Sequence, residues 1–336
     1  MRYSSLLPSA ERFYFSRFVR LAALSVALVG LLPSCSDDDE TEATPASPAK
    51  ITVPQAALHP EGIQYDEANK RFLVSSRTRG QIGSVKDDST YTVFADDPRL
   101  VSTIGLNLDA TRQRLLAAVS DNGANTSRST SGTLRQLAAL AIFNATNGSL
   151  TSFVNLGALR PGQNHFANDI AVDAQGNAYI TDSLSPLIYK VDPQGAASVF
   201  LENNMLSGGS GFGLNGIVYH PDGYLLVAKA NDGSLFKVPL SNPSNFTKVA
   251  TNQNLSLTGA DGLVLTDPKT LLLVSGSQST VFRLTTTTDW ASATEAGRFA
   301  TGAVSPTTIT RRADAAYVLY PYQATSPRFA IVRVGF

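Results

Sequence analysis

The sequence predicts an all-β fold, a six-bladed β-propeller with four short strands in each blade. Three observations support this prediction. A unit of about 46 residues recurs six times between residues 51 and 336, its clearest copies read as strand, turn and strand, and no stretch after residue 50 keeps a helical period. Four-stranded units of this length are typical of blades that pack radially around a central channel.

The repeated unit begins with three residues that lead into an apolar strand. Its six starts are Glu61-Gly62-Ile63, Ile104-Gly105-Leu106, Asn168-Asp169-Ile170, Asn215-Gly216-Ile217, Asp261-Gly262-Leu263 and Pro306-Thr307-Thr308. The middle residues of successive starts are 43, 64, 47, 46 and 45 residues apart, so one interval is long. Residues 121–135 fall inside it and are polar and low in complexity, which predicts an inserted loop.

The strands within a unit are clearest in residues 168–183 and 215–230, where glycine-containing turns separate two apolar stretches. The last unit supplies only three strands before the chain stops. We therefore predict that residues 51–54 complete the final blade and remove the open edges of the ring. Seven blades are the alternative count, but the number of repeats favours six.

The composition is that of a globular protein, with 43% hydrophobic residues. The 27 lysine and arginine residues balance the 27 aspartate and glutamate residues, so no global field would attract nucleic acid. Functional partners must therefore be argued from a local site.

The N-terminal residues have the pattern of an export signal. Four arginines precede an apolar run at residues 21–32, which is short for a permanent membrane span. Residues 32–35 end in Cys35, the single cysteine, and resemble the lipobox of bacterial lipoproteins. We predict a lipoprotein signal peptide at residues 1–34, lipidation of Cys35, and a flexible acidic tether at residues 35–50 before the propeller at 51–336. The expected location is the bacterial outer membrane, facing the periplasm or the cell exterior.

The first positions of the repeat predict a metal site. Equivalent residues of the blades lie at one radius and height, so these positions form a ring around the axis. Four of the six are carboxylates or carboxamides: Glu61, Asn168, Asn215 and Asp261. Each alone also suits a turn before a strand, but four in register favour a site of oxygen ligands. Such a set suits Ca²⁺ best, Mg²⁺ or Mn²⁺ next, and Zn²⁺ least.

The same motifs resemble those of a known superfamily. Glu61-Gly62, Asn215-Gly216-Ile217 and Asp261-Gly262-Leu263 are similar to the metal-binding motifs of SMP-30, gluconolactonase and regucalcin-like proteins. The resemblance covers roughly residues 58–336. It implies a divalent metal held by Glu61, Asn215 and Asp261, with Asn168 as a further ligand or substrate contact, that activates a lactone or ester carbonyl and a bound water.

One feature departs from the superfamily pattern. Its members commonly carry an arginine that grips a sugar acid near the Asn-Asp motif. Here residues 164–167 precede that motif without an arginine, and Arg160 lies further back. The resemblance therefore does not extend to sugar-lactone specificity.

Other candidate site residues follow from their positions. His165 precedes Asn168 in a predicted loop at the channel mouth, where it would act as general base toward a metal-bound water or substrate, an ordinary loop histidine being the alternative. His165 and the metal ligand Asp261 are the candidate catalytic residues. His59 precedes Glu61 and is a candidate for contacting that metal ligand without contacting the metal itself; a packing role is the alternative. Asp169 should face away from the ring by strand alternation and brace it through backbone bonds.

Two functions from different classes fit these observations. The first is an exported, metal-dependent hydrolase of small-molecule lactones or related esters, in contact with the membrane only through its lipid. The second is a non-catalytic propeller of NHL type that binds protein or glycan at the cell surface, since propellers host both classes. The register of four oxygen ligands favours the hydrolase.

Overall fold

The computed structural model describes residues 47–322 and 326–336. The signal peptide predicted at residues 1–34, the lipidated Cys35 and most of the tether lie outside the described residues. Within the described residues the chain forms 25 β-strands, and the helices Ala110–Arg112, Gly157–Leu159, Asn204–Leu206 and Pro243–Asn245 are single 3-10 turns. None of the helices in these ranges has the length and apolarity needed to cross a membrane.

The strands form six sheets, which are the blades. Blade 1 contains β2 (Ile63–Asp66), β3 (Arg71–Val74), β4 (Ile82–Val85) and β5 (Tyr91–Ala95). Blade 2 contains β6 (Ser102–Asp109), β7 (Arg114–Ser120), β8 (Ala138–Asn144) and β9 (Leu150–Asn155). Blade 3 contains β10 (Ala167–Val172), β11 (Ala178–Asp182), β12 (Leu187–Val191) and β13 (Ala197–Glu202).

The second half of the ring continues in the same order. Blade 4 contains β14 (Leu214–His220), β15 (Tyr224–Lys229), β16 (Ser234–Pro239) and β17 (Thr247–Lys248). Blade 5 contains β19 (Ala260–Asp267), β20 (Thr270–Ser275), β21 (Thr280–Thr285) and β22 (Ser292–Ala300), with the short β18 (Ala250–Thr251) added parallel to β22. Blade 6 contains β23 (Ile309–Arg312), β24 (Ala315–Tyr320), β25 (Phe329–Arg333) and β1 (Lys50–Val53). The six-bladed propeller is therefore confirmed, with one extra strand in blade 5.

The ring closes through the N-terminal strand, as predicted. Strand β1 pairs antiparallel with β25 and is the outermost strand of blade 6, in the register Ile51 opposite Ile331. The Tyr317 hydroxyl also donates to the Pro48 carbonyl oxygen at 2.9 Å. The final blade thus combines both ends of the propeller domain in one sheet.

The strand pairing corrects the start of the sixth repeat. Ile309 pairs with Val318 as Ile63 pairs with Val74 in blade 1. The carbonyl oxygen of the preceding residue, Thr308 or Gly62, then accepts a hydrogen bond from the residue after the valine, Leu319 or Ser75. Thr307 is therefore the counterpart of Glu61. The sequence-based start at Pro306 was one residue early, because the proline and two threonines lack the glycine that marks four of the other five starts.

Hydrophobic packing between adjacent blades holds the ring together. In the described residues, six buried clusters each join two neighbouring blades. Strand β3 shows how: Phe72 and Val74 pack toward blade 6, and Leu73 packs toward blade 2. Because both faces of a blade are covered, its middle strands are apolar throughout, whereas a sheet with one wet face would alternate.

The innermost strands leave a narrow channel on the axis. All six contribute to the lining of a cavity of about 280 Å³, through residues such as Gln64, Asn107, Tyr219, Val264 and Thr310. The predicted insertion, residues 121–135, lies between β7 and β8 in blade 2. Its buried Asp121 accepts bonds from Ser129 and Thr133 within the same segment, so the loop folds on itself.

The closure of the ring can be tested at Ile51, which is 1% exposed and packs between blades 6 and 1. We expect Ile51→Ala to lower the free energy of unfolding by about 2–5 kcal/mol, because it leaves a cavity in that interface. Thr52→Ala, on the other face of the same strand, should cost less than about 1 kcal/mol. Urea unfolding of both variants measures the difference, and equal effects would contradict a closing role for this face of β1.

Candidate metal centre

The four predicted ligands lie where the innermost strands of their blades begin. In blades 2 to 5 the pairing of the first two strands skips two residues there, for example between Ala167 and Ile170 and between Leu214 and Ile217. The skipped pairs are Ile104-Gly105, Asn168-Asp169, Asn215-Gly216 and Asp261-Gly262. A bulge of this kind bends the strand and re-aims a side chain, so the ligand positions are set by a repeated irregularity of the sheet.

Glycine follows the ligand position in most blades because neighbouring inner strands come very close there. A Cβ on Gly62 would lie 2.3 Å from the Ile104 carbonyl oxygen, and one on Gly216 would lie 2.1 Å from the Asp261 carbonyl oxygen. Only a residue without a side chain permits this approach. The glycines thus keep the ring of first positions narrow enough for side chains from different blades to meet.

Blade 3 carries Asp169 at this glycine position. Its carboxylate accepts the backbone N–H of Ile170 at 2.9 Å and that of Ile217, in blade 4, at 3.3 Å. Burial, with a smaller contribution from the charge of Glu61, raises the pKa of Asp169 to about 7, against the lowering effect of its two backbone hydrogen bonds. Asp169 also lines the central cavity. The side chain therefore braces two blades through backbone bonds and adds a third carboxylate to the channel.

The acidic side chains of the ring are within electrostatic reach of one another. Burial raises the pKa of Asp261 well above its usual range, and the charges of Glu61 and Asp169 add to this effect. A hydrogen bond with the Asn215 side chain acts in the opposite direction. Burial also raises the pKa of Glu61, against the lowering effect of Arg77. Glu61, Asn215 and Asp261 thus come together from three blades at a point where a cation would be stabilised.

Unpartnered polar atoms mark one side of this ring. Among the described residues, the buried side-chain atoms without a hydrogen-bond partner are Nδ1 of His59, Oε2 of Glu61 and Nε of Arg77. The Glu61 Oε2 atom lies 3.6 Å from Nη1 of Arg77, beyond hydrogen-bond distance. Buried polar atoms are normally paired, so these three point to a bound species that supplies their partners.

Asn168 is oriented by its neighbour on the second strand. Its Nδ2 donates to the Ser183 hydroxyl oxygen at 2.8 Å, and that hydroxyl donates to the Leu214 carbonyl oxygen at 2.5 Å. The protein thereby uses the amide nitrogen, so Oδ1 is the atom that would contact a cation.

Hydroxyl side chains also hold the backbone at the ligand positions. The Ser75 hydroxyl oxygen accepts the N–H groups of Glu61 and Gly62 at 3.2 and 2.7 Å. Thr307 donates to the Glu61 carbonyl oxygen at 3.0 Å, and Thr181 donates to that of Asn215 at 2.7 Å. These supporting residues were missed from the sequence, although the recurrence of serine and threonine near the ends of second strands was a signal.

The donor set fits a hard divalent cation. In residues 47–322 and 326–336, no three histidine, cysteine, aspartate or glutamate side chains are arranged as a metal site. The candidate set instead combines two carboxylates with two carboxamides. Oxygen ligands of this kind, with an unpartnered Oε2 on Glu61, suit Ca²⁺ better than Zn²⁺. The assignment of Glu61, Asn168, Asn215 and Asp261 as metal ligands stays a prediction.

His165 does not have the environment predicted for a general base. Its side chain is 2% exposed, with Nδ1 2.8 Å from Asp182 Oδ2 and Nε2 2.9 Å from the Arg160 carbonyl oxygen. Tyr189 donates to the same Asp182 carboxylate at 2.8 Å. Both ring nitrogens are therefore used inside the protein. The loop folds inward and the histidine anchors it, and the catalytic role of His165 stays a prediction.

His59 lies beside Glu61 and Arg77. Burial, followed by the charge of Arg77, lowers the pKa of His59 to about 4, so its ring is neutral at physiological pH. Its backbone has a positive φ of 43°, which is uncommon for a non-glycine residue. The histidine is thus held in place by the structure around it, and its supporting role for Glu61 stays a prediction.

A loop with exposed apolar side chains connects blades 3 and 4 beside the ring. Met205 and Phe212 are 60% and 42% exposed, and the Phe212 ring packs on Phe166 at 5.0 Å between centroids. The Gly213 N–H donates to the Ser183 carbonyl oxygen at 2.8 Å, next to the residue that orients Asn168. The loop therefore presents an apolar surface close to the candidate site.

The raised pKa values predict how calcium and pH should act together. Between about pH 4, the ordinary range for a carboxyl group, and about pH 7, the pKa of Asp169, the buried carboxyl groups of the ring bind more protons in the folded metal-free protein than in the unfolded chain. Their contribution to stability should therefore fall as the pH rises through this window. Calcium would compete with these protons, so its stabilising effect should grow with pH.

Thermal unfolding of calcium-stripped protein, with and without added CaCl₂ from pH 5 to pH 8, measures this coupling. We expect a larger calcium-induced rise in Tm at pH 8 than at pH 5, and a much reduced rise in Glu61→Gln. A calcium effect of equal size at every pH would show that the ion does not bind at these carboxylates.

The comparison with known proteins gives a family match and several structural neighbours. Residues 59–303 match the model of the SMP-30/gluconolactonase/LRE-like region. No curated protein sequence matches the chain. The allergen Mala s 1 of Malassezia sympodialis has a TM-score of 0.70 at 18% identity, over 86% of this chain and 96% of that one.

Two enzymes with the same fold are also similar in structure. A gluconolactonase from Xanthomonas campestris has a TM-score of 0.59 at 16% identity, over 85% of this chain and 89% of that one. The soluble aldose sugar dehydrogenase of Escherichia coli has a TM-score of 0.60 at 14% identity, over 84% and 98%. At these identities the neighbours establish the fold, and the family follows from the match over residues 59–303. The chain belongs to the SMP-30/gluconolactonase/LRE-like family.

Proposed function

We propose that this protein is a calcium-dependent hydrolase of lactones or related esters. The observation that carries the proposal is the meeting of Glu61, Asn215 and Asp261 from three blades, with an unpartnered carboxylate oxygen on Glu61. The family match and the fold shared with a gluconolactonase support it. A small molecule is the expected substrate, because the matching family and the gluconolactonase of the same fold are named for activity on small molecules.

Glu61, Asn168, Asn215 and Asp261 would hold the cation, which would polarise the substrate carbonyl and lower the pKa of a bound water. Asp261 is the candidate for proton transfer, because its carboxyl group is buried among the other acidic side chains of the site, which raises its pKa in the absence of a cation. It would accept a proton as the water oxygen bonds to the carbonyl carbon. The ring C–O bond then breaks, and the proton passes to the departing alkoxide oxygen to give the hydroxy acid.

Calorimetry with Ca²⁺ and a panel of lactones tests this proposal. We expect the wild-type protein to bind Ca²⁺ and to hydrolyse at least one lactone. Asp261→Asn and Glu61→Gln should each lower calcium affinity and the rate of lactone hydrolysis by about 100-fold or more. His165→Gln is the matched control, because its ring lies in a separate buried network. It should lose stability but keep calcium affinity.

The outcomes separate the mechanism from its alternative. Turnover that survives Asp261→Asn or removal of calcium would contradict the mechanism. Calcium binding without turnover would favour the second candidate, a non-catalytic propeller that binds protein or glycan. The exposed Met205 and Phe212 beside the mouth are the observation in favour of that candidate.

We also propose that the protein is exported and anchored to the bacterial outer membrane by a lipid on Cys35. The support is the arginine-rich start, the apolar run at residues 21–32 and the lipobox-like residues 32–35. Membrane fractionation should find the wild-type protein with the membrane and Cys35→Ser released from it. Equal partitioning of the two would contradict the anchor.

A further inference from the structure

One repeat position faces the ring of candidate ligands from the second strand of each blade. The pairing of first and second strands defines it as the third residue after Val74 and its counterparts in the other blades. The six residues at this position are Arg77, Ser120, Ser183, Ala230, Gly276 and Pro321.

The contacts of this position show that it faces the ligands. Ser183 accepts a bond from Asn168, and a Cβ on Gly276 would lie 4.0 Å from Asp261 Oδ2. In blade 1 the same position places Nη1 of Arg77 3.6 Å from Glu61 Oε2. Five of the six residues are small, and Arg77 is the long side chain at this position.

The guanidinium of Arg77 has hydrogen-bonding capacity that the protein does not use. Its Nε is buried without a partner, and the distance from Nη1 to Glu61 is too long for a hydrogen bond. The side chain is 24% exposed, so part of it is accessible to a bound molecule. A guanidinium offers five donors in a rigid fork that matches a carboxylate. A cation cannot satisfy these donors, so their missing partner is an acceptor.

We propose that Arg77 binds a carboxylate group of the substrate beside the metal ligands. His59, whose Nδ1 is also buried without a partner, contributes a second contact. The single positive charge of Arg77 suits a carboxylate better than the doubly charged phosphate group. The substrate class is therefore a lactone or ester that also carries an acidic group. This inference rests on the proposed hydrolase function.

The test compares Arg77→Met and Arg77→Lys on a matched pair of lactones, one with a free carboxylate and one with that group as its methyl ester. We expect Arg77→Met to raise KM for the acidic lactone about 10-fold or more, a change that corresponds to one lost charged contact. The KM for the neutral lactone should change by less than about 2-fold, and Arg77→Lys should be intermediate. Arg298→Met, which removes an exposed arginine paired with Glu295 on β22, is the matched control and should change neither.

Two binding measurements are independent of turnover. Titration of the calcium-loaded protein with glutarate, which has no bond to hydrolyse, should show binding that Arg77→Met abolishes. Titration with Ca²⁺ alone should show equal or tighter binding in Arg77→Met, because a nearby positive charge has been removed.

The results distinguish the inference from the function on which it rests. Weaker Ca²⁺ binding in Arg77→Met, together with equal changes in KM for both lactones, would overturn the inference and assign Arg77 to the positioning of Glu61. If no lactone is hydrolysed, the proposed function fails. Glutarate binding lost in Arg77→Met would still support the carboxylate site, and its absence in the wild type would overturn it.

Discussion

The pairing of β1 with β25 is the interaction on which the rest of the structure depends. It joins the two ends of the domain in blade 6 and thereby sets the circumference of the ring. Across this closure, Thr307 of blade 6 donates to the Glu61 carbonyl oxygen of blade 1. The backbone that carries Glu61 is thus held from both sides, by Ser75 within its own blade and by Thr307 of the last blade. An open ring would leave this ligand position without half of its support.

The candidate site holds several acidic side chains close together within a narrow ring. Glycines at positions such as 62 and 216 let the inner strands approach, and the bulges turn polar side chains inward. Burial raises the pKa values of Glu61, Asp169 and Asp261, and the charge of Glu61 raises those of Asp169 and Asp261 further. Arg77 offsets part of this charge. A fold that concentrates negative charge in this way is suited to hold a divalent cation.

His165 shows that a local sequence pattern does not fix where a side chain lies. His165 precedes the Asn-Asp motif by three residues, and a loop at that distance would leave it near the channel mouth. The chain instead turns inward, and Asp182 on β11 binds the histidine ring, the Phe166 N–H and Tyr189 together. The buried carboxylate of Asp182 needs hydrogen-bond donors, and the inward turn supplies them. Nothing in the residues around His165 revealed that Asp182 would be its partner.

The sequence by itself determined the blade count, the closure by residues 51–54, and the register that aligns Glu61, Asn168, Asn215 and Asp261. It could do so because a repeat converts spacing along the chain into position around an axis, and each strand leaves its own pattern of apolar residues. The sixth start was displaced by one residue, because Thr307 and Thr308 replace the usual polar residue and glycine.

Only the tertiary structure decided the roles of Arg77, Ser183 and Asp182. These residues act through partners that are 15 to 17 positions away along the chain, on adjacent strands. Which of them faces the channel, and which faces a neighbouring blade, depends on strand pairing and on the bulges. These are properties of the packed sheet, and no local pattern of residues encodes them.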